Sequence, residues 1–402
     1  MKNLLTYTAL VLLLLACSGN DADWQEENAV AVGFDAVMLT GQGTTRAAND
    51  IDDKAELAAK GGFGVFACYT GRYKYADSSV NPDFMYNEHV TSTNEGANWE
   101  YNPVKYWPNG EGETDGNTGE IPHYVSFFAY APYSNNNADN PAGYCISGFS
   151  HQADTGNPWL TYRLHTNVSD QVDLLYDQLL DQGKPDVDAK LLFHFKHALA
   201  CVGDKVTIQC TENLKTNLAA RIGGSVTKMD VVLKSVDITY TLTEKGRLVL
   251  WNGGEANWQP VLSGNTLVTR SPDFSPYLPE PFTLHMNDGA AHNNVWTAKR
   301  DDSDGLPPGP GVFYIPLDLP ENPQEARITV SYEIRHYLND DPDPIVEYDR
   351  TAWTTLTLSD YEDAFKPGKH LYIDIKLDDT TLIATAAITD WVTVGSVSTE
   401  AY

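Results

Sequence analysis

The chain has 402 residues, of which 55 are acidic and 27 are basic, so its formal net charge at pH 7 is −28. Such a charge repels nucleic acid and anionic lipid surfaces, and we therefore expect no nucleic-acid partner. The length is enough for two domains of ordinary size.

The N-terminus has the pattern of a bacterial export signal. Residues 1–3 form a short basic region, and residues 4–15 are an almost wholly apolar run that is too short to span a bilayer as a helix. The run ends in Leu-Leu-Ala-Cys, a lipobox, which predicts a signal peptide over residues 1–16 and a lipid on Cys17. The alternative is an ordinary secretory signal in which Cys17 has no role. Both place the protein outside the cytoplasm.

The segment from 17 to 46 combines a strand-like pattern with a protease target. Val30, Val32 and Phe34 alternate with other residues, and a Gly- and Thr-rich stretch then leads to Arg46 and Ala47. A single Arg among small residues on an exposed loop suits a trypsin-like protease. Taken alone, this pattern makes Arg46 and Ala47 only a candidate cleavage site, and a surface arginine without this role is the more common case.

The rest of the chain reads mainly as β-strands. Alternating apolar and polar residues predict half-buried strands around 236–242, 328–338 and 371–377, and residues 124–133 are apolar on both faces, as in a central strand. Helical patterns are few, at 53–60 and at 169–181. Many short strands with turn-rich loops predict an all-β protein of antiparallel β-sandwiches. We place the domain boundary within 211–228.

Motifs for catalysis or cofactor binding are missing from the sequence. It contains no Gly-x-Ser-x-Gly, phosphate loop, His-Glu-x-x-His or Cys-x-x-Cys, so we predict no enzymatic activity, no cofactor and no metal. His194 and His197 have an odd spacing and point to opposite faces of a strand. Four cysteines besides Cys17 could form disulfides in three possible pairings, and buried free thiols are the alternative.

A rival class is a glycan-binding surface lipoprotein. Aromatic residues in a loop-like region could stack on sugar rings, namely Trp99, Tyr101, Tyr106 and Trp107. A weaker third hypothesis is an accessory domain of a glycoside hydrolase.

Six segments, in this order and spacing, resemble the fimbrillins of type V pili from anaerobic Gram-negative bacteria. They are residues 84–87, 99–108, 125–133, 195–200, 367–369 and 388–391. The resemblance runs through the whole chain and includes the lipobox. It implies two tandem transthyretin-like β-sandwich domains, here 47–218 and 219–402, after a lipid-anchored propeptide of residues 17–46.

The resemblance also implies a mechanism of assembly. Export to the outer membrane is followed by cleavage after an Arg, here Arg46, which removes a first strand at roughly 29–39. The groove left behind is filled by a strand from the C-terminal end of another subunit, here within 382–402. The residues implied for this donor strand are Ile388, Trp391, Val392 and Val394. The expected partners are other fimbrillin subunits, a processing protease and a host or bacterial surface ligand. A stalk or tip subunit is favoured over an anchor, because cleavage at Arg46 would release the chain from its lipid.

Overall fold

The structure is a computed structural model, and it describes most of the chain between residues 30 and 391. The described ranges are 30–38, 51–75, 79–108, 122–135, 146–185, 189–222, 226–261, 266–286, 294–299, 310–319, 321–338, 341–378 and 381–391.

These residues form an all-β fold with short helices, as the sequence predicted. The strands are β1 (Gly33–Met38), β2 (Phe63–Gly71), β3 (Met85–Val90), β4 (Tyr124–Ala131), β5 (Ile146–Phe149), β6 (Trp159–Arg163), β7 (Leu175–Gly183), β8 (Lys190–His197), β9 (Ala200–Cys210), β10 (Val226–Thr243), β11 (Lys245–Val249), β12 (Asn257–Gln259), β13 (Leu267–Arg270), β14 (Phe282–His285), β15 (Val295–Lys299), β16 (Val312–Tyr314), β17 (Glu325–Leu338), β18 (Ile345–Thr357), β19 (Lys369–Leu377) and β20 (Leu382–Asp390). The α-helices are α1 (Lys54–Ala59) and α2 (Glu212–Ile222).

A six-stranded sheet dominates the N-terminal half, with the strand order β1-β8-β7-β4-β2-β3. The central strand β4 is apolar on both sides because each of its faces meets a packed layer, which confirms the prediction for residues 124–133. One face packs on the four-stranded sheet β12-β11-β6-β5, where Phe149 contacts the rings of Phe66 and Tyr130. The other face carries a separate core that includes β1 and Leu57 of α1.

Two five-stranded sheets form a sandwich in the C-terminal half. One has the order β13-β10-β17-β18, with β14 also paired to β10. The other has the order β15-β9-β19-β20, with β16 also paired to β9. The predicted strands at 236–242, 328–338 and 371–377 are confirmed as parts of β10, β17 and β19, and their apolar positions face the shared core.

Two strand pairs run parallel within these otherwise antiparallel sheets. β1 pairs with β8 in parallel, from Gly33 opposite Lys190 to Met38 opposite Phe195. β9 pairs with β19 in parallel as well. Strand direction leaves no mark on the alternation of side chains, so the sequence did not reveal either pair.

One of the two helical patterns is confirmed and the other is wrong. Residues 53–60 contain α1, whose N-terminus is capped by the Asp53 carboxylate accepting the Glu56 N–H at 2.8 Å. Residues 169–181 contain a short 3₁₀ turn and then β7. Leu174, Leu175 and Tyr176 are all buried there, and a strand covered on both faces has a continuous apolar run that periodicity cannot distinguish from a buried helix.

The predicted domain division at 218 and 219 lies within α2. Strand β11 follows that division in sequence, yet it pairs with β6 from the N-terminal half. One apolar core also extends from Phe66 and Tyr130 through to Ile328 and Ile375. The division into residues 47–218 and 219–402 stays a prediction.

Among the described residues, none of the helices has the length and apolar character needed to cross a membrane.

Candidate functional site

The strand β1 lies at the edge of the six-stranded sheet and turns one row of side chains inward. Val32, Phe34, Ala36 and Met38 are buried, and none is more than 8% exposed. The residues between them are half-buried. The alternation noted at Val30, Val32 and Phe34 therefore marks a real strand, which agrees with the prediction that residues 29–39 contain one.

Phe34 is the most enclosed large side chain of this row. Its ring lies 5.3 Å from the ring of Tyr101, 5.7 Å from Phe193, 5.9 Å from Phe127 and 6.4 Å from Phe63, measured between ring centroids. These four rings belong to β2, β4, β8 and the loop after β3. Removal of β1 would leave an apolar pocket here.

The backbone of this segment is bonded along its length. Gly33 to Met38 form the parallel ladder with β8. Upstream, the Val32 N–H donates to the Lys105 carbonyl at 2.8 Å, and the Trp107 N–H donates to the Val30 carbonyl at 2.9 Å. We call the edge of β8, the loop 101–107 and the four rings around Phe34 the β1 groove. In the structure, β1 fills it.

Two side-chain contacts add to this packing. The Lys54 ammonium lies 2.8 Å from the Asp35 carboxylate, and because both side chains are about one-third exposed, this ion pair contributes little. The Tyr101 hydroxyl donates to the Val32 carbonyl at 2.8 Å. Burial of the Tyr101 side chain raises its pKa to about 12.

The predicted processing residues lie outside the described part of the chain. These are Cys17, Arg46 and Ala47. The described chain stops at Met38 and resumes at Ile51, whose side chain is buried in the same core as β1. A cut between 46 and 47 would therefore sever β1 from the body of the protein while every contact of the β1 groove stayed available.

The predicted donor residues are placed only in part. Ile388 lies in β20, the edge strand that pairs along its whole length with β19, and its side chain is half-buried against the C-terminal core. Trp391 follows β20 directly and is 9% exposed. Val392 and Val394 lie outside the described residues.

Trp391 sits in an aromatic cluster where the two halves of the molecule meet. Its ring stacks on His197 of β8 at 4.0 Å, lies 5.5 Å from Phe313 and meets His370 edge-on at 4.4 Å. The two histidines hydrogen-bond to the buried carboxylates of Asp173 and Asp204, each at 2.6 Å. His197 is thus a satisfied core histidine, while His194 points to solvent on the opposite face.

The aromatic loop proposed as a sugar-stacking surface folds inward. Trp99 and Trp107 are only 6% and 4% exposed, and both belong to the core that contains β1. Tyr106 is exposed, but Tyr101 closes the pocket around Phe34. The glycan-binding hypothesis therefore loses the two tryptophans on which it depended.

Sequence reasoning missed the residues that form the pocket, although a signal was present. Leu191, Phe193 and Phe195 alternate along β8 and all face the β1 groove, with exposures of 9% or less. This two-residue period predicts a half-buried strand with one apolar face. The period does not reveal that β1 is the strand that pairs with β8.

This layered all-β architecture is the fold of a fimbrial protein. The solved structure of a fimbrial protein from Bacteroides vulgatus ATCC 8482 matches 90% of this chain and 100% of its own, with a TM-score of 0.61 and 19% identity. A putative cell adhesion protein from Bacteroides uniformis ATCC 8492 superposes much less closely, with a TM-score of 0.38 and 14% identity.

A curated relative points to the same class of protein. The fimbrium subunit Fim1C of Phocaeicola vulgatus is 25% identical over 399 residues, which cover 93% of this chain and 91% of that protein. No protein-family model matches the chain. The resemblance to fimbrillins, inferred from six sequence segments, is confirmed by these comparisons.

Proposed function

We propose that this chain is a structural and adhesive subunit of a fimbrium rather than an enzyme. It is exported as a lipoprotein through Cys17, cleaved after Arg46 and polymerised when a strand of another subunit enters the β1 groove. Its similarity to a fimbrium subunit over 93% of its length supports the role as a fimbrial subunit. The observation that carries the mechanism is that β1, eight residues before Arg46, is an edge strand with a fully apolar inner face.

A strand from another subunit would restore the contacts that the groove loses when β1 leaves. It would restore the ladder along β8, the bonds to the loop 101–107 and the packing of Val32, Phe34 and Met38. Burial of three side chains of this size contributes on the order of 5–9 kcal/mol before ordering costs, at about 1.5–3 kcal/mol each. A subunit joint of this strength dissociates slowly.

The intact β1 also explains why cleavage acts as the trigger. An uncovered apolar edge invites pairing with any strand that reaches it, and β1 covers that edge until the chain has been exported. Cleavage would at the same time detach the subunit from the lipid on Cys17. The subunit therefore serves in the stalk or at the tip of the fimbrium on the cell surface, with other fimbrillin subunits as partners, and the outer membrane holds it only before processing.

Protease treatment of the lipidated chain in the presence of the other subunits of its fimbrium tests this proposal. The chain should enter polymers only after cleavage, and in them it should begin at Ala47 by N-terminal sequencing. Arg46→Ala should abolish both the cut and the polymers, whereas Arg72→Ala, at an exposed arginine of the folded body, should leave both intact. Polymers whose subunits retain residues 21–46 would overturn the proposal.

A further inference from the structure

The row of side chains that β1 places in its groove has an uneven size pattern. At the inward positions 30, 32, 34, 36 and 38 it carries Val, Val, Phe, Ala and Met. Position 34 is a large pocket between four aromatic rings. Position 36 holds the small side chain of Ala36, which is completely buried. A replacement strand must therefore carry an aromatic side chain two residues away from a small one.

The C-terminal segment of this chain does not have that pattern. Residues 382–402 contain two aromatic side chains, Trp391 and Tyr402. If Trp391 filled position 34, the alternate positions on both sides of it would be threonines, at 389 and 393, which would bury hydroxyl groups among apolar side chains. If Tyr402 filled position 34, Glu400 would fall on an inward position beside it.

One register of residues 382–388 would fit the β1 groove at every inward position except one. A strand that runs opposite to β1 would place Leu382 at position 38, Ala384 at 36, Ala386 at 34 and Ile388 at 32. Three of these side chains match the size of the ones they replace. Ala386 would leave the pocket of Phe34 empty, and an unfilled aromatic pocket in a core is among the most costly defects of packing.

The same segment is also engaged within its own molecule. Leu382 to Asp390 pair with β19 in an unbroken nine-residue ladder. The ring of Trp391 is held between His197, Phe313 and His370. The backbone N–H of Trp391 donates to the Gly368 carbonyl at 2.8 Å. Donation of β20 to another subunit would break these contacts, and their loss would reduce the net free energy gained by strand exchange.

We infer that the β1 groove of this subunit selects a strand from a different subunit and rejects the C-terminal strand of its own kind. This inference rests on the proposed function. The partner strand has an aromatic residue two positions from a small residue on one side and from a β-branched residue on the other, in the pattern of Phe34, Ala36 and Val32. The subunit would join a heteromeric fibre and would not polymerise with itself.

Strand exchange measured on the full chain after cleavage at Arg46 tests this selectivity. Fluorescent peptides compete for the groove with the retained β1 fragment, and their affinities are compared. The peptide of residues 29–39 should bind, and the peptide of residues 382–402 should bind at least about 100-fold more weakly, as expected for an aromatic pocket left empty. Ala386→Phe in the second peptide should recover at least about tenfold of this loss.

Thr385→Phe in the same peptide is the matched control. It adds the same ring on the face that points away from the groove, and should recover nothing. Equal binding of the two unmodified peptides, a gain from Thr385→Phe but not from Ala386→Phe, or polymers formed by the cleaved chain alone would overturn the selectivity. Failure of the 29–39 peptide to bind would instead overturn the proposed function, because the groove would then not open.

Discussion

Phe34 is the side chain on which the attachment of β1 depends most. It is 1% exposed and contacts four aromatic rings from four different elements. We expect Phe34→Ala to lower the free energy of unfolding of the intact chain by about 3–5 kcal/mol, because it leaves a cavity that the surrounding sheet cannot close. Urea denaturation followed by fluorescence measures this loss.

The control for Phe34→Ala is Val37→Ala in the same strand. Val37 is half-buried on the opposite side of β1, so its truncation should cost clearly less. After cleavage and removal of the β1 fragment, both variants should be as stable as the wild type, because the changed residue has left the molecule. A similar loss for both variants in the intact chain would contradict the packing described for Phe34.

Tyr101 reports on the presence of a strand in the β1 groove. Burial raises its pKa to about 12 when β1 is in place, and we expect the pKa to fall toward the ordinary value of about 10 when the groove is open. If binding of a strand raises the pKa of Tyr101, the strand binds more tightly when the Tyr101 hydroxyl is protonated. Strand binding should therefore be constant below about pH 10 and weaken progressively between about pH 10 and 12.

Binding of the 29–39 peptide to the cleaved chain at pH 8 and at pH 10.5 checks this dependence. Tyr101→Phe removes the titrating group, and the ratio of the two affinities should then move closer to one. If the ratio is the same in Tyr101→Phe as in the wild type, another group is responsible for the pH dependence.

The sequence revealed the residues of the strand more readily than those of the loop. Val32 and Phe34 stand out in the sequence because any strand that packs one face on a core has apolar residues at every second position. Trp99 and Trp107 were expected on the surface, since the residues around them are polar and turn-forming. The loop instead folds over the open face of the six-stranded sheet, and composition alone does not indicate whether a loop covers a sheet or extends from it.

At the scale of elements, the backbone of β20 pairs with β19 along its whole length, whereas its side chains pack on the core mainly at its two ends. Its inward side chains at 384 and 386 are alanines, which bury little apolar surface, whereas Trp391 anchors the C-terminal end. We expect Trp391→Ala to increase amide hydrogen exchange in residues 382–390 while exchange in β1 stays unchanged. Mass spectrometry of peptides from the intact chain resolves the two regions.

The control for Trp391→Ala is Ile383→Ala in the same strand. Ile383 is 44% exposed on the outer face, so its loss should leave the exchange of β20 close to that of the wild type. Unchanged exchange in Trp391→Ala would show that the ladder with β19 holds the strand without the aromatic cluster.

Strands with one wet face were predictable, whereas of the strands with two dry faces β4 was predicted and β7 was not. Residues 328–338 and 371–377 alternate cleanly because solvent lies on one side of β17 and β19. The apolar run at 174–176 lacks this alternation because layers cover the start of β7 on both sides, so its pattern predicts a helix as readily as a strand. The parallel pairing of β1 with β8 was equally hidden, since register and direction depend on contacts made far along the chain.

At the scale of the molecule, the sequence indicated a two-layered β architecture but not how its halves join. Composition changes little across the region around α2, and the pairing of β6 with β11 links residues about 85 positions apart in sequence. The identity of the class came from six short segments in a fixed order along the chain.

The direct passage from β8 into β9 has a mechanical consequence. Two residues, Ala198 and Leu199, separate the strand that forms the wall of the groove from an inner strand of the C-terminal sheet. A strand pulled along its own axis in the position of β1 would shear against β8, so its backbone bonds would share the tension instead of opening one after another. That tension would pass along the covalent chain into β9 with no intervening loop to stretch, which makes the subunit a stiff link.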